Sequence, residues 1–209
     1  MSLAVAPILV PLLFGALSLA LWRYRIAQRV LGLVGTVALL AVSIRLFQVV
    51  HAEGMVVLHM GGWAAPLGIT LAVDMLGAIM VVLTGITGLA IALFSMGDTP
   101  ARHEHFGYYP LMHLLLAGVA GSFVTGDIFN LYVWFEVMLI ASFALLTLGG
   151  ERAQMEGAIK YVTLNLFSSA IFLSAVGILY GLLGTLNMAD IAQKIDQVEN
   201  TALINVVAV

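Results

Sequence analysis

Glu136 is an acidic residue in the middle of an apolar stretch, and its position suggests chemistry. Residues 128–148 are almost entirely apolar, and Asp127 marks one end of that stretch, nine residues before Glu136. That separation is ~13 Å along a helix, close to the middle of a hydrocarbon layer ~30 Å thick. A charged side chain there costs ~2.5–3.5 kcal/mol on insertion scales, so such acids commonly mark a proton or ion path. The alternative is a protonated Glu136 that only hydrogen-bonds a neighbouring helix.

Tyr132 and Lys160 are the first candidates to act together with Glu136. Tyr132 precedes Glu136 by one helical turn and shares its face, so its phenol is able to hydrogen-bond the carboxylate. Lys160 lies near the start of the next apolar stretch. It is either part of a charged path or an interfacial lysine whose ammonium group reaches the lipid headgroups.

Asn165 and His113 complete the candidate proton path as a second tier. Asn165, with Ser168 and Ser169, could hold water beside a charged path, although polar residues at this spacing also hold helices together. His113 could relay protons, since imidazole titrates near neutral pH. A neutral, hydrogen-bonded packing role is the alternative for His113.

The composition places these residues in an integral membrane protein. The chain has 209 residues, of which 62% are apolar and 9% charged, with a mean hydropathy of +1.11. Soluble domains carry about 25% charged residues. Cysteine is absent, and no helix carries two histidines on one face, so we expect no metal and no cofactor. A net charge of −3 without a basic run argues against nucleic acid as a partner.

The apolar stretches predict an all-α membrane protein, a polytopic transmembrane helix bundle with six full helices and the start of a seventh. We treat residues 1–209 as a single transmembrane domain. The interval before the third crossing holds two β-prone runs, residues 55–59 and 67–71, which predict either a hairpin or an irregular loop. The predicted crossings are residues 3–21, 30–50, 71–96, 109–125, 128–148 and 158–183, with residues 203–209 beginning the seventh.

The basic residues predict the orientation in the bilayer, because cytoplasmic loops are enriched in Lys and Arg. Arg45 lies within the second crossing, where reaching the outer interface explains it. We therefore expect a multi-pass protein of the cell inner (plasma) membrane with its N-terminus outside. Six basic residues share the predicted cytoplasmic ends of the crossings: Arg23, Arg25, Arg29, Arg102, Arg152 and Lys160.

Four runs of sequence resemble a known family. Residues 125–146 (TGDIFNLYVWFEVMLIASFALL) resemble the fifth-helix signature of the antiporter-like subunits in the membrane arm of respiratory complex I. Residues 73–77 (VDMLG), 158–161 (AIKY) and 180–190 (YGLLGTLNMAD) agree with this family in the same order. The resemblance extends over essentially the whole chain, and it is strongest to the D-type subunits of the multisubunit Mrp-type Na+/H+ antiporters.

The resemblance implies roles for two of the candidate residues. In this family the glutamate that matches Glu136 is required for ion translocation, and a lysine at the start of the sixth helix matches Lys160. The family also implies about fourteen helices built around two inverted repeats, with a central lysine that would follow Val209. We therefore expect residues 1–209 to be the N-terminal part of a longer protein, or to be completed by another chain.

The function that the resemblance implies is proton translocation in a multisubunit Na+/H+ antiporter, with other membrane subunits as partners. Glu136 would be ionised while a nearby lysine is charged, and protonated when that lysine withdraws. Two alternatives stay open. The chain could be a proton-pumping subunit of a complex I-like NADH–quinone oxidoreductase or membrane-bound hydrogenase, whose partners hold the redox centres. It could also be a scaffold that transports nothing.

Overall fold

Six long helices and two short ones make up the computed structural model, which describes residues 3–195. Each long helix corresponds to one predicted crossing, so the predicted all-α membrane fold is confirmed. Residues 203–209, predicted to begin a seventh helix, lie outside the described residues. The long helices are α1 (Ala6–Ala20), α2 (Arg25–Glu53), α3 (Met75–Asp98), α5 (Tyr108–Val124), α6 (Ile128–Thr147) and α7 (Arg152–Leu183), and the short ones are α4 (Ala101–His105) and α8 (Met188–Lys194).

Helix length and composition suit a bilayer. Within the described residues, five segments are long and apolar enough to cross a membrane: Leu3–Ala20, Arg25–Glu53, Met75–Asp98, Ile128–Thr147 and Arg152–Leu183. Helix α5 is apolar but has only 17 residues, which is ~26 Å of helix. It is therefore slightly shorter than a typical hydrocarbon layer.

The predicted start of the third crossing, at residue 71, is wrong. Helix α3 begins at Met75, because the Asp74 side chain accepts a hydrogen bond from the Gly77 backbone N at 2.7 Å and caps the helix. The residues before Asp74 form a strand instead. Helices α2 and α7 also begin earlier than predicted, and a capping box at Glu151 starts α7.

Of the two alternatives for the interval before α3, the hairpin is confirmed. Strand β1 (Val56–His59) pairs antiparallel with strand β2 (Thr70–Val73), so the second strand begins three residues later than the predicted run. Leu71 and Val73 are buried and pack into the core formed by the ends of α1, α2, α3 and α5. The hairpin therefore covers one end of the bundle.

The break between α5 and α6 is an extended segment that pairs on both sides. The Gly126 backbone N donates a hydrogen bond to the Thr70 carbonyl at 2.8 Å, and the Gly126 carbonyl accepts one from the Met188 backbone N at 2.9 Å. The Asp127 side chain then accepts a hydrogen bond from the Asn130 backbone N at 2.8 Å and caps α6. These bonds fix where α6 starts and join it to the α7–α8 connection.

Helix α5 lies at the centre of the packing, with α1, α3 and α6 against it, while α7 packs on α6. Close approach of α5 and α6 depends on Gly121, where a Cβ atom would overlap the Trp134 indole. Trp134 therefore lies across the face of α5. In contrast, few residues of α6 and α7 are buried within the described chain: Asn130, Ala141, Ala158, Val176 and Leu183.

A buried carboxylate, Glu104, ties α2 to α4 and α5. Arg25 Nη2 and Arg29 Nε donate to its two oxygens at 2.6 and 2.7 Å, and the Tyr109 hydroxyl donates to it at 3.2 Å. Burial alone would raise the pKa of the Glu104 carboxyl. The hydrogen bonds from Arg29 and Arg25 outweigh burial, so this pKa lies below its ordinary value.

We expect Glu104→Gln to lower the free energy of unfolding by about 2–3 kcal/mol, because the amide loses the charge-assisted hydrogen bonds to both arginines. Glu53→Gln removes an exposed acid at the end of α2 and is the matched control. Reversible unfolding of the full-length protein in mixed micelles measures both variants. Equal destabilisation by the two changes would contradict a stabilising role for the Glu104 hydrogen bonds to the two arginines.

The same carboxylate predicts a pH dependence. Because its folded-state pKa is depressed, its contribution to stability is present above the ordinary value of 4.5 and is lost as the pH falls through the folded-state value. The difference in unfolding free energy between wild type and Glu104→Gln should therefore shrink as the pH is lowered through this range. A difference that stays constant would show that Glu104 stabilises the fold without its charge.

Candidate functional site

Glu136 is half-buried on α6, and its Oε1 atom is fully buried. That oxygen has no hydrogen-bond partner within residues 3–195. A buried polar atom without a partner costs free energy, and a charged one costs more. In the described residues this oxygen of Glu136 thus lacks the partners that the Glu104 carboxylate has.

Tyr132 lies one turn before Glu136, and its phenol interacts electrostatically with the Glu136 carboxyl group. The Tyr132 ring stacks on Phe172 of α7, with centroids 6.1 Å apart and planes 11° from parallel. This stacking joins the Tyr132 side chain to α7.

A cavity of about 460 Å³ lies between α6 and α7 next to Tyr132. Its wall is mostly apolar. Tyr132 and Asn165, two residues that the sequence predicts to be in the path, both line it. The other polar residues of the wall are Ser142, Tyr161, Ser168 and Ser169.

Two hydrogen bonds order the polar wall of this cavity. Ser142 Oγ of α6 and the Tyr161 hydroxyl of α7 are 2.9 Å apart, so they link the two helices. Asn165 Nδ2 donates to the Tyr161 carbonyl at 2.8 Å. The Asn165 side-chain oxygen is therefore available to accept a hydrogen bond from another group. The sequence gives no periodic signal for the Ser142–Tyr161 pair, because it joins residues of two helices.

Lys160 does not reach Glu136. Its side chain is 70% exposed, and its ammonium group forms an ion pair with Glu156, one turn earlier, at 2.7 Å. Lys160 does not line the cavity, whereas the next residue, Tyr161, does. Successive helical residues point about 100° apart, so Lys160 points away from the cavity wall.

His113 is fully buried but belongs to a different part of the bundle. Its Nδ1 atom is 2.9 Å from the Tyr109 carbonyl, and its ring stacks on Phe14 of α1 at 6.3 Å. A Cβ atom at Gly35 of α2 would overlap the ring, so α2 also contacts it closely. The structure therefore places His113 among α1, α2 and α5, away from the α6–α7 cavity.

Trp134 and the glycines that it faces position the candidate site, and they were not among the residues predicted from the sequence. Trp134 packs over Gly121, and a Cβ atom at Gly118 would crowd Met138. These contacts set the rotation of α6 and thus the direction of Glu136. The signal in the sequence is the pair Ala117 and Gly121 of α5, small residues four apart, a spacing typical of close helix packing in membranes.

Metal binding has no support from the described residues. Within residues 3–195, no group of three or more His, Asp or Glu side chains is placed to share a metal ion.

Comparison with known proteins connects this site to a family. Residues 125–209 match the family described as NADH:quinone oxidoreductase/Mrp antiporter, transmembrane. The D-type Na+/H+ antiporter subunit of Alkalihalophilus pseudofirmus is 42% identical over 208 residues, which cover 100% of this chain and 42% of that protein. This chain is similar over its whole length to this D-type antiporter subunit. The resemblance predicted from its motifs is thereby confirmed.

Two solved structures share the fold of this chain. The structure of the Mrp complex from Dietzia sp. DQ12-45-1b matches with a TM-score of 0.84 at 30% identity, over 91% of this chain and 37% of that one. The structure of the membrane-bound sulfane sulfur reductase, an archaeal respiratory membrane complex, matches with a TM-score of 0.90 at 28% identity. The match covers 96% of this chain and 41% of that one. The chain thus spans about two fifths of the length of these proteins.

Gly121→Val should separate α5 from α6, because the valine side chain would occupy the volume of the Trp134 indole. We expect the free energy of unfolding to fall by about 1–3 kcal/mol, the usual cost of overpacking. Gly177→Val of α7 is the control, since a Cβ atom there meets open space. Denaturation of the two full-length variants side by side measures the effect. A loss at Gly177 as large as that at Gly121 would be inconsistent with this packing.

Tyr161→Phe should remove the α6–α7 hydrogen bond to Ser142 and lower the unfolding free energy by about 0.6 kcal/mol, a typical value for such bonds between membrane helices. Tyr180→Phe removes a hydroxyl from the same helix at a site where the side chain is exposed, and it should have no effect. A double-mutant cycle with Ser142→Ala measures the coupling. No coupling energy would mean that this bond does not hold the cavity wall.

Proposed function

We propose that this chain forms part of the proton-translocating subunit of a multisubunit Na+/H+ antiporter, with Glu136 in the ion path. The observation that carries the proposal is the buried Glu136 Oε1 atom without a hydrogen-bond partner in the described residues. An acid near the middle of a membrane helix is costly, and it is commonly found where protons or ions pass. The relationship to the D-type antiporter subunits supports the assignment.

Tyr132 would connect Glu136 to the α6–α7 cavity, because it interacts with the carboxyl group and also lines the cavity. A proton that leaves Glu136 toward α7 would then meet the hydroxyl groups of Tyr132, Ser142 and Tyr161. Asn165 adds an amide to the same wall. Glu136 itself does not line the cavity, so in this arrangement Tyr132 is the link between the acid and the cavity.

The charged partner of Glu136 in this proposal is a lysine other than Lys160. Lys160 is exposed and paired with Glu156, so we assign it to the end of the path at the membrane surface. His113 would stabilise the packing of α1, α2 and α5, since its contacts lie there.

The exposed faces of α6 and α7 support packing against other membrane subunits. Many of their large apolar side chains are exposed within the described chain, and few are fully buried. We place the complex in the plasma membrane with the N-terminus outside, since the basic residues gather at the opposite ends of the helices.

The test is Glu136→Gln in the full-length protein within its complex. We expect this isosteric change to abolish Na+-driven proton release from inverted vesicles, because an amide cannot exchange protons, while membrane insertion stays normal. Glu53→Gln removes an exposed acid and should retain exchange. Wild-type exchange by Glu136→Gln would refute the role of Glu136, and the scaffold alternative would then lead.

A second candidate is a membrane subunit of a respiratory complex, and the similarity to the archaeal sulfane sulfur reductase favours it. There the same carboxylate would move protons while partner subunits carry the electrons. Copurification separates the two functions. Flavin and iron–sulfur subunits in the purified complex would support the respiratory function, and their absence together with Na+-dependent exchange would support the antiporter.

A further inference from the structure

Three arginines lie within seven residues at the start of α2, and helix stability does not explain them. The first turn of α2 contains no acidic residue, and Arg25 is its first residue. Positive side chains are unfavourable at this end of a helix because they oppose the helix dipole. Arg23 precedes the helix and Arg29 follows one turn later, so three guanidinium groups repel one another at a single site.

Glu104 neutralises only part of this charge. It accepts from Arg25 Nε and Nη2 and from Arg29 Nε. Arg23 and the Arg25 Nη1 atom have no hydrogen-bond or ion-pair partner within residues 3–195, whereas Arg29 also interacts with the Tyr109 hydroxyl. Three positive groups and one carboxylate leave a net charge of +2, with several N–H donors unused.

The three arginines line an open surface depression of about 510 Å³. The Arg25 and Arg29 side chains are 47% and 33% exposed, so part of each guanidinium group remains accessible while other nitrogens hold Glu104. This anchoring orients both guanidinium groups in advance. We call this site the α2 arginine pocket, and it is lined by Arg23, Tyr24, Arg25, Ile26 and Arg29.

The side chains beside the arginines suit a bilayer interface better than water. Trp22, Tyr24 and Ile26 are all exposed, Ile26 by 80%. Aromatic residues at the end of a spanning helix commonly lie at the level of the lipid headgroups. A small anion in water would gain nothing from these apolar groups, whereas a lipid would cover them.

We propose that the α2 arginine pocket binds the phosphate group of an anionic phospholipid. The exposed nitrogens of Arg25 and Arg29 and the guanidinium of Arg23 would donate to the phosphate oxygens, for which the planar fork of arginine is well matched. The lipid's glycerol and upper acyl chains would then pack on Tyr24 and Ile26. Basic pockets of this kind at membrane surfaces recognise anionic headgroups.

Arg23→Gln in the full-length protein is the central test, because Arg23 has no internal partner within the described residues and its loss leaves Glu104 paired. Lipid-depleted protein in neutral detergent is titrated with phosphatidylglycerol, and bound lipid is counted by native mass spectrometry. We expect about fivefold weaker binding, the typical contribution of one basic residue near an anionic surface. Arg23→Glu, which reverses the charge, should weaken binding about 25-fold.

Arg45→Gln is the matched control, since it removes an exposed arginine from the far part of the same helix. It should bind phosphatidylglycerol like wild type, and wild type should bind phosphatidylcholine weakly. A thermal unfolding midpoint measured without lipid shows that each variant is folded.

Three outcomes would overturn the proposal. These are wild-type lipid binding by both Arg23 variants, equal losses in the Arg23→Gln and Arg45→Gln proteins, or displacement of the lipid by an equal concentration of inorganic phosphate. The last result would identify a site for a free anion.

Discussion

The peptide group of Gly126 joins three parts of the chain, and the geometry of the candidate site depends on it. Its N–H bonds to the hairpin at Thr70, and its carbonyl bonds to Met188 beyond α7. Only glycine allows this approach, because a Cβ atom would lie 2.9 Å from the Ala72 Cβ atom. The starts of α6 and α8 are therefore fixed relative to each other, and the cavity between α6 and α7 follows from that register.

Two buried carboxylates have opposite roles in this bundle. Glu104 accepts hydrogen bonds from two arginines and a tyrosine, and it holds α2 against α4 and α5. Glu136 has one oxygen without any such partner in the described residues. The first arrangement stabilises one conformation. The second leaves a carboxyl oxygen free to bind a proton or another group. Acids inside a membrane that mark proton paths have this property.

The sequence predicts the helices well because a bilayer requires long apolar segments, and each such segment is visible without knowledge of its neighbours. It predicts the hairpin only as one of two alternatives, because strand pairing depends on contacts between distant residues. The start of α3 shows the same limit. Leu71 is as apolar as the helix that follows, and only the cap at Asp74 separates the strand from the helix.

The candidate site shows what hydropathy omits, which is the rotation of each helix. The depth of Glu136 in the membrane follows from counting residues, but its direction depends on Trp134 against Gly121. The cavity brings Asn165 next to Tyr132, whereas His113 lies on a different face of α5. No spacing within one helix reveals which neighbour a given face meets.

Helix lengths explain why Lys160 and Glu136 differ in environment. Helix α6 has 20 residues, or ~30 Å, so Glu136 lies ~2 Å from its midpoint. Helix α7 has 32 residues, or ~48 Å, which exceeds the ~30 Å hydrocarbon layer by ~9 Å at each end if the helix is centred. Lys160 is ~12 Å from the start of α7 and hence only ~3 Å below the interface, within reach of the headgroups for a lysine side chain. Glu156 is closer still to the surface, so Lys160 finds its charged partner at the interface. Glu136, by contrast, needs a partner inside the hydrocarbon layer.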